Sequence, residues 1–222
     1  MTEIEPVRFY FDFISPYAYL AWTQIHRVAA GREVEAVPVL FAALLDHHGT
    51  KGPAEIAAKR RYLLFDTLRK ARALGVPLGV PKHHPFNPLL ALRVASVPND
   101  AATRRRIVDR LYAAVWSGEG ANLEDAAIVA RLLTELGVDA ERTIADATSA
   151  EGKARVKAQT ERAIADGVFG VPTTIAGGEP FWGVDALGDL ERFLRDARPT
   201  VDAEILARWS ALTPSAERKQ AR

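Results

Sequence analysis

The sequence predicts an α/β fold, because strand-like segments lie at both ends of the chain and a helical block lies between them. Residues 7–13 alternate aromatic and β-branched side chains with charged ones, which is typical of a strand. Residues 18–30 carry apolar side chains at helical spacing, and residues 33–41 form a second predicted strand rich in valine. The opening is therefore a β-α-β unit, whose two strands we expect to be parallel.

The middle of the chain predicts helices only. From residue 53 to residue 167, alanine, leucine, arginine and glutamate dominate, and these residues favour helix. The predicted helices cover residues 54–74, 88–96, 101–116, 123–136, 140–147 and 150–166. Asp100 and Asn122 precede two of these helices, and each is a candidate N-cap that accepts a hydrogen bond from the first turn.

The end of the chain returns to short strands. Residues 171–176 and 179–182 flank a Gly-Gly turn, which predicts a hairpin, and a helix over residues 185–197 follows. Strand, helix, strand, hairpin and helix is the order of a thioredoxin fold. The prediction is thus a thioredoxin-like fold with an inserted all-helical domain. We expect the thioredoxin-like domain at residues 1–42 and 168–198, the inserted domain at residues 43–167, and a last helix and polar tail within residues 199–222.

Composition excludes several functions. The chain has 222 residues and no cysteine, so disulfides, thiolate metal sites and a DsbA-type dithiol oxidoreductase are excluded. Lys plus Arg number 29 against 28 Asp plus Glu, which gives no reason to expect nucleic acid or a membrane surface as a partner. The first residues do not resemble a secretory signal, and no apolar run approaches the roughly 18 residues that span a bilayer. We expect a cytoplasmic protein.

The strongest candidate for chemistry is Ser15, at the junction between the first strand and the first helix. A hydroxyl there lies beside unpaired backbone N–H groups and the positive end of the helix dipole, so it is placed to hold a thiolate. Because the chain has no cysteine, that thiolate must come from another molecule. The alternative is that Ser15 only caps its helix, and Asp12 could likewise be only a turn residue.

A second cluster is the segment GVFGVPT at residues 167–173. Proline at the start of a strand removes a ladder donor, and a cis bond between Val171 and Pro172 would account for it. The backbone of Val171 could then pair with an extended ligand as an added strand does. The alternative is an ordinary trans proline at a strand edge.

Four loop residues are weaker candidates. Lys51, His83 and His84 could meet a substrate carboxylate, although exposed histidines often have no specific role. Asn87 is as well explained by a turn or cap as by a site. The adjacent histidine pairs lack the spacing of metal ligands, so we predict no metal site.

Five segments carry a family resemblance when they are taken together and in order: FDFISPYAYLA at residues 11–21, AKR-x-Y and D-x-L-R-x-A within residues 58–71, HPFNPLLALR at residues 84–93, GVFGVPT at residues 167–173 and PFWGVD at residues 180–185. From about residue 7 to residue 195, the chain resembles the 2-hydroxychromene-2-carboxylate isomerases. These form a glutathione-dependent branch of the DsbA-like superfamily, close to the kappa-class glutathione transferases. The resemblance implies a homodimer, and glutathione as the missing thiol.

The resemblance also implies roles for individual residues. Ser15 resembles the serine that hydrogen-bonds the glutathione sulfur, and Val171 with Pro172 resembles the pair that binds its cysteinyl backbone. Asp185 resembles the acid that receives the γ-glutamyl ammonium, and Lys59 is a weaker candidate for a carboxylate contact.

The sequence departs from the family pattern at three places: residues 50–53, Val184 and Ala186. Thr-Lys-Gly-Pro stands at residues 50–53, where kappa-type enzymes commonly show Asn before a Pro-Pro pair. Val184 and Ala186 replace a small hydroxyl residue and an arginine. We therefore expect weaker glutathione binding than in typical relatives.

The predicted function is cis–trans isomerisation of a chromene carboxylate or a similar aromatic degradation intermediate, with glutathione as cofactor and a small aromatic carboxylate as substrate. The mechanism implied is reversible addition of the thiolate to a conjugated alkene. Two alternatives remain open: a kappa-like glutathione transferase, and a non-catalytic thioredoxin-like module that holds a peptide or thiol beside Pro172.

Overall fold

Four strands form one mixed sheet in the computed structural model, which describes residues 6–196 and 200–216. The strands are β1 (Val7–Phe11), β2 (Val34–Pro38), β3 (Thr173–Ala176) and β4 (Glu179–Trp182). They lie in the order β2-β1-β3-β4, with β1 parallel to β2 and antiparallel to β3, and β3 antiparallel to β4. The predicted parallel pair and the predicted hairpin are both confirmed.

Helix α1 (Pro16–Val28) joins the two parallel strands, and nine further helices lie within the described residues. They are α2 (Phe41–His47), α3 (Ala57–Leu74), α4 (Leu89–Ala95), α5 (Ala101–Trp116), α6 (Ala126–Glu135), α7 (Ala140–Thr148), α8 (Ala150–Ala165), α9 (Leu187–Asp196) and α10 (Ala203–Ser210). A 3-10 helix (Pro53–Glu55) precedes α3, so α3 begins three residues later than predicted. The predicted last residue of α9, Ala197, and residues 217–222 of the polar tail lie outside the described residues.

Helix α2 was not predicted, and the second strand is shorter than predicted. Leu40 occupies the N-cap position of α2 and has no polar side chain to cap it. The N–H of Phe41 donates instead to the Oδ2 atom of Asp12 at 3.0 Å. The group that caps α2 therefore lies 29 positions earlier in the chain, so the local pattern gave no signal for a helix start.

The two predicted N-caps have different outcomes. Asp100 accepts a hydrogen bond from the N–H of Thr103 at 2.9 Å, which confirms it as the cap of α5. The prediction that Asn122 caps a helix was wrong, because α6 begins at Ala126 and Asp125 caps it. The side chain of Asn122 accepts from the N–H of Glu124 at 3.3 Å, so it stabilises the turn before the helix.

Side chains of β1 alternate between two hydrophobic clusters, as the two-residue period of a strand requires. Phe9 and Phe11 pack in the larger cluster, which includes α1 and also Tyr112 of α5. Tyr10 points into a smaller cluster with residues of β2 and α2. Because helices from the middle of the chain share the larger cluster with the sheet, they pack directly against the end of β1, where the candidate site begins. The domain boundaries given above stay a prediction.

Candidate active site

Ser15 lies between the loop that follows β1 and the first turn of α1. Its side-chain oxygen accepts a hydrogen bond from the N–H of Ala18 at 3.2 Å, which caps the helix. The same hydroxyl donates to the carbonyl oxygen of Val171 at 3.4 Å. The structure therefore brings the two predicted clusters together, with Ser15 only 8% exposed.

The two hydrogen bonds of Ser15 differ in quality. Its donated bond is long, since O–H···O distances usually lie between about 2.5 and 3.0 Å. A hydroxyl has one hydrogen to donate, and that hydrogen can rotate towards a stronger acceptor while the oxygen still caps the helix. Capping and anion binding are thus compatible in Ser15, although they stood as alternatives in the sequence.

Three side chains hold the loop before Ser15 by its successive carbonyl groups. Tyr112 donates to the carbonyl oxygen of Asp12 at 3.2 Å, Trp116 Nε1 to that of Phe13 at 2.9 Å, and His84 Nε2 to that of Ile14 at 3.0 Å. No local sequence pattern indicates these contacts, because the partners lie 70 to 103 residues away. Side chains from the helical block therefore fix the backbone conformation of the loop that leads to Ser15.

His84 has a more specific place than an exposed loop histidine. Its Nε2 must carry the hydrogen, because a carbonyl group can only accept. Burial lowers the pKa of His84, although the bond to Ile14 favours the charged form. The contact that His84 makes is with the Ser15 loop, and its predicted role towards a substrate carboxylate stays a prediction.

Asp12 lies beneath the loop and is only 1% exposed. Its Oδ1 accepts from the N–H of Ile14 at 3.1 Å, and its Oδ2 accepts from the N–H of Phe41 at 3.0 Å. Burial raises the pKa of Asp12 to about 7, although the two hydrogen bonds oppose that shift. Asp12 therefore joins the Ser15 loop to the start of α2. It has a larger structural role than the turn residue that the sequence left as an alternative.

The second side of the site is the turn before β3. The bond between Val171 and Pro172 is cis, as predicted. The carbonyl oxygen of Pro172 accepts from the N–H of Gly183 at 2.9 Å, which ties this turn to the end of β4. Beside it, the exposed rings of Phe169 and Trp182 lie 5.0 Å apart.

Asp185 follows this region and belongs to a chain of polar contacts that the sequence did not reveal. Lys70 Nζ lies 3.0 Å from Asp185 Oδ1 and 3.3 Å from the carboxylate of Asp66. Asp66 also accepts a hydrogen bond from the hydroxyl of Tyr17 at 2.8 Å. Burial, with the hydrogen bond to Asp66, raises the pKa of the Tyr17 phenol well above its ordinary value, so it stays a donor. Asp185 is thus linked to the first turn of α1.

The other predicted site residues are more dispersed. Lys51, Lys59 and His83 are exposed, and in residues 6–196 and 200–216 none of them has a hydrogen bond or ion pair with the Ser15 loop. Asn87 accepts from the N–H of Leu89 at 3.0 Å, and its own N–H donates to Glu124 at 2.8 Å. The turn interpretation of Asn87 is therefore confirmed, while binding roles for these four residues stay predictions.

Neither a metal cluster nor a membrane-spanning helix is found in the described part of the chain. No group of three or more His, Asp or Glu side chains there could hold a metal ion. No helix there is long and apolar enough to cross a membrane.

Comparison with known proteins gives consistent matches. The family model of the DsbA-like thioredoxin domain matches residues 6–195. The 2-hydroxychromene-2-carboxylate isomerase of Pseudomonas putida is 32% identical over 190 residues, which cover 83% of this chain and 92% of that protein. Glutathione S-transferase kappa 2 of Caenorhabditis elegans is 30% identical over 184 residues, which cover 78% of this chain and 81% of that protein.

Solved structures agree with the sequence matches. A crystal structure of a 2-hydroxychromene-2-carboxylate isomerase superposes with a TM-score of 0.80 at 29% identity, covering 93% of this chain and 98% of the other. The fold class and the enzyme class predicted from the sequence are therefore confirmed.

Proposed function

We propose that this chain, which belongs to the 2-hydroxychromene-2-carboxylate isomerase family of DsbA-like thioredoxin proteins, uses glutathione to isomerise a chromene carboxylate or its ring-opened form. The observation that carries the proposal is the hydroxyl of Ser15, held at the start of α1 and in weak contact with Val171. It is a donor that can turn to a thiolate, in a chain that has no thiol of its own.

The residues present fit glutathione. Its sulfur requires a hydrogen-bond donor near a positive potential, and Ser15 at the helix N-terminus supplies both. The carbonyl oxygen of Val171 accepts a long hydrogen bond of 3.4 Å from Ser15. A hydrogen bond from the backbone of the cysteinyl part of glutathione can replace it. Asp185, whose side chain is 82% exposed, is open to an ammonium group. Lys59, an exposed residue, is a weaker candidate for a carboxylate contact.

Glutathione, when bound, supplies a thiolate that adds reversibly to the conjugated alkene of the substrate, so that the former double bond can rotate before elimination restores it. Ser15 donates its hydrogen to the sulfur and so favours the anion. The loop carbonyl contacts from Tyr112, Trp116 and His84 keep that hydroxyl in place. We propose four weak candidates for contact with the substrate carboxylate: Lys51, which is an exposed cation, and His83, His84 and Asn87.

The experiment follows turnover of 2-hydroxychromene-2-carboxylate by the dialysed protein, with and without a small amount of glutathione. We expect no turnover without glutathione, many turnovers for each glutathione added, and full recovery of free thiol. Equal rates with and without glutathione would overturn the proposal.

A second candidate function is a glutathione transferase, which the kappa-class relative from Caenorhabditis elegans supports. A transferase leaves the thiol bonded to its product. Titration of free thiol therefore distinguishes the two, since one thiol is lost for each product molecule in a transferase and none in an isomerase. Glutathione binding without either reaction would favour the binding module. The homodimer and the cytoplasmic location remain predictions.

A further inference from the structure

Lys70 belongs to the chain of polar contacts beside Asp185, and no role for it was predicted from the sequence. It lies on α3, in the second half of the helix, with 22% of its side chain exposed. Burial lowers the pKa of its ammonium group, but hydrogen bonds to Asp185 and Asp66 outweigh that, so the pKa lies above its ordinary value. Lys70 is therefore a fixed positive charge.

The ammonium group of Lys70 has more donors than it uses. It carries three N–H donors. One reaches Asp66 and one reaches Asp185, so within residues 6–196 and 200–216 one remains for a further acceptor. Asp66 is in turn held by the hydroxyl of Tyr17, which fixes the direction from which Lys70 approaches Asp185.

Lys70 and Asp185 form a pair of opposite charges at the surface, with Nζ of Lys70 3.0 Å from Oδ1 of Asp185. The carboxylate of Asp185 is largely exposed. An α-amino acid end group carries its ammonium and its carboxylate on the same carbon atom. Such a zwitterion matches an adjacent Asp and Lys, because its ammonium can bind the carboxylate while its carboxylate binds the ammonium.

This charge pair is connected to the Ser15 site from two directions. Asp185 lies two residues beyond Gly183, which bonds to Pro172, and Val171 contacts Ser15. Tyr17 lies two residues beyond Ser15, and it bonds to Asp66. The pair and Ser15 are therefore two parts of one ring of contacts.

We propose that Lys70 and Asp185 together bind an amino-acid zwitterion, and that Lys70 takes its carboxylate. The ligand is the γ-glutamyl end of glutathione, an identification that rests on the proposed function. The flanking residues Val184 and Ala186 are apolar and offer no charged side chain for that carboxylate. Lys70 supplies a cation from α3.

The test compares two ligands by titration calorimetry: glutathione, and the analogue in which 4-aminobutyrate replaces the γ-glutamyl residue and so lacks only its α-carboxylate. In the unmodified protein we expect the analogue to bind about tenfold more weakly, the value of one charge-assisted hydrogen bond that is partly exposed. In Lys70→Gln the ratio of the two dissociation constants should fall to about one. Lys70→Arg keeps the charge and should keep most of the ratio.

The ratio is the decisive quantity, because removing Lys70 also frees Asp185 and changes the binding of both ligands alike. Lys157→Gln is the matched control, since it removes a lysine from another i,i+4 ion pair on an exposed helix face. Its ratio should equal that of the unmodified protein. A ratio in Lys70→Gln as large as in the unmodified protein overturns the zwitterion site alone, whereas failure of the unmodified protein to bind glutathione overturns the proposed function with it.

Discussion

The two ends of the candidate site are built in opposite ways. At the Ser15 end, the proposed reacting position lies in a buried loop, and the carbonyl groups of residues 12–14 accept hydrogen bonds from distant side chains. At the Asp185 end, the polar groups are partly or largely exposed and are joined by ion pairs. The Ser15 end is held by hydrogen bonds from distant side chains, and the Asp185 end by ion pairs that are exposed to water.

This contrast indicates a division of labour. A buried hydroxyl can change the pKa of a thiol because its hydrogen bond is not shared with water. Exposed ion pairs contribute little individually, but they select a ligand with a matching arrangement of charges. We therefore expect changes at the Ser15 end to alter stability and chemistry, and changes at the Asp185 end to alter ligand affinity.

The largest expected effect concerns Asp12 and pH. Its pKa is about 7 in the folded protein against an ordinary value of 3.8, so between these values the native state binds a proton that the unfolded chain has released. The stability contributed by Asp12 is therefore fully present below about pH 4 and falls as pH rises to about 7. Relative to Asp12→Asn, which stays neutral, the free energy of unfolding should fall by up to about 4 kcal/mol, at about 1.4 kcal/mol for each pKa unit.

Urea unfolding of both proteins between pH 4 and pH 8 measures this difference. Glu161→Gln, which changes an exposed acid of α8, serves as the control and should track the unmodified protein within about 0.5 kcal/mol. If the difference between the unmodified protein and Asp12→Asn stays flat or rises with pH, burial does not hold this carboxyl group neutral.

Next in size is the effect of Ser15→Ala on the thiol. A hydrogen bond to a charged acceptor contributes about 1.5 to 3 kcal/mol, so the pKa of bound glutathione should rise by about one or two units. Isomerisation at neutral pH should fall about 10- to 100-fold and partly recover as pH is raised. The ultraviolet absorbance of the thiolate, followed against pH, measures the shift.

Ser149→Ala is the matched control for capping. Ser149 caps α8 by accepting from the N–H of Gly152 at 3.0 Å, and the ligand site has no part in that contact. Both alanine variants should lose about 0.5 to 2 kcal/mol of stability, but only Ser15→Ala should move the thiol titration. Identical titration curves and turnover in the unmodified protein and Ser15→Ala would leave Ser15 as a cap alone.

A smaller effect should follow when one support of the buried loop is removed. Trp116→Phe keeps an aromatic ring but leaves the carbonyl oxygen of Phe13 without its donor, at a cost of about 1 to 3 kcal/mol. Trp182→Phe makes the same change at an exposed ring and should cost less than about 0.5 kcal/mol. Thermal unfolding of the two variants compares them directly, and equal losses would contradict the contrast between the buried loop and the exposed end.

The same contrast explains what the sequence could predict. The strands, most helices and the place of Ser15 depend on local periodicity and on a turn at Ser-Pro, so they could be predicted. Helix α2 and the contacts of Trp116 depend on partners far along the chain, for which no local pattern exists. Lys70 was missed for another reason: it lies among the basic residues of α3, and only the fold places it beside Asp185.

The smallest expected effect is that of salt, and it tests the exposed end specifically. Screening acts over about 10 Å at 0.1 M salt and about 3 Å at 1 M, and it is strongest for exposed charges. Because an exposed ion pair contributes up to about 1 kcal/mol, the dissociation constant of glutathione should rise by no more than about fivefold between these concentrations. The pKa of the bound thiol should change much less, since Ser15 is buried and its contact is a short-range hydrogen bond. Lys70→Gln should show a weaker salt dependence of binding than the unmodified protein, because one of the screened charges is gone.

Calorimetry at the two salt concentrations measures the affinity, and the thiolate absorbance measures the pKa in the same samples. If salt moved the thiol pKa as strongly as it moved the affinity, the two ends of the site would not be electrostatically separate, and the division between a buried chemical end and an exposed binding end would fail.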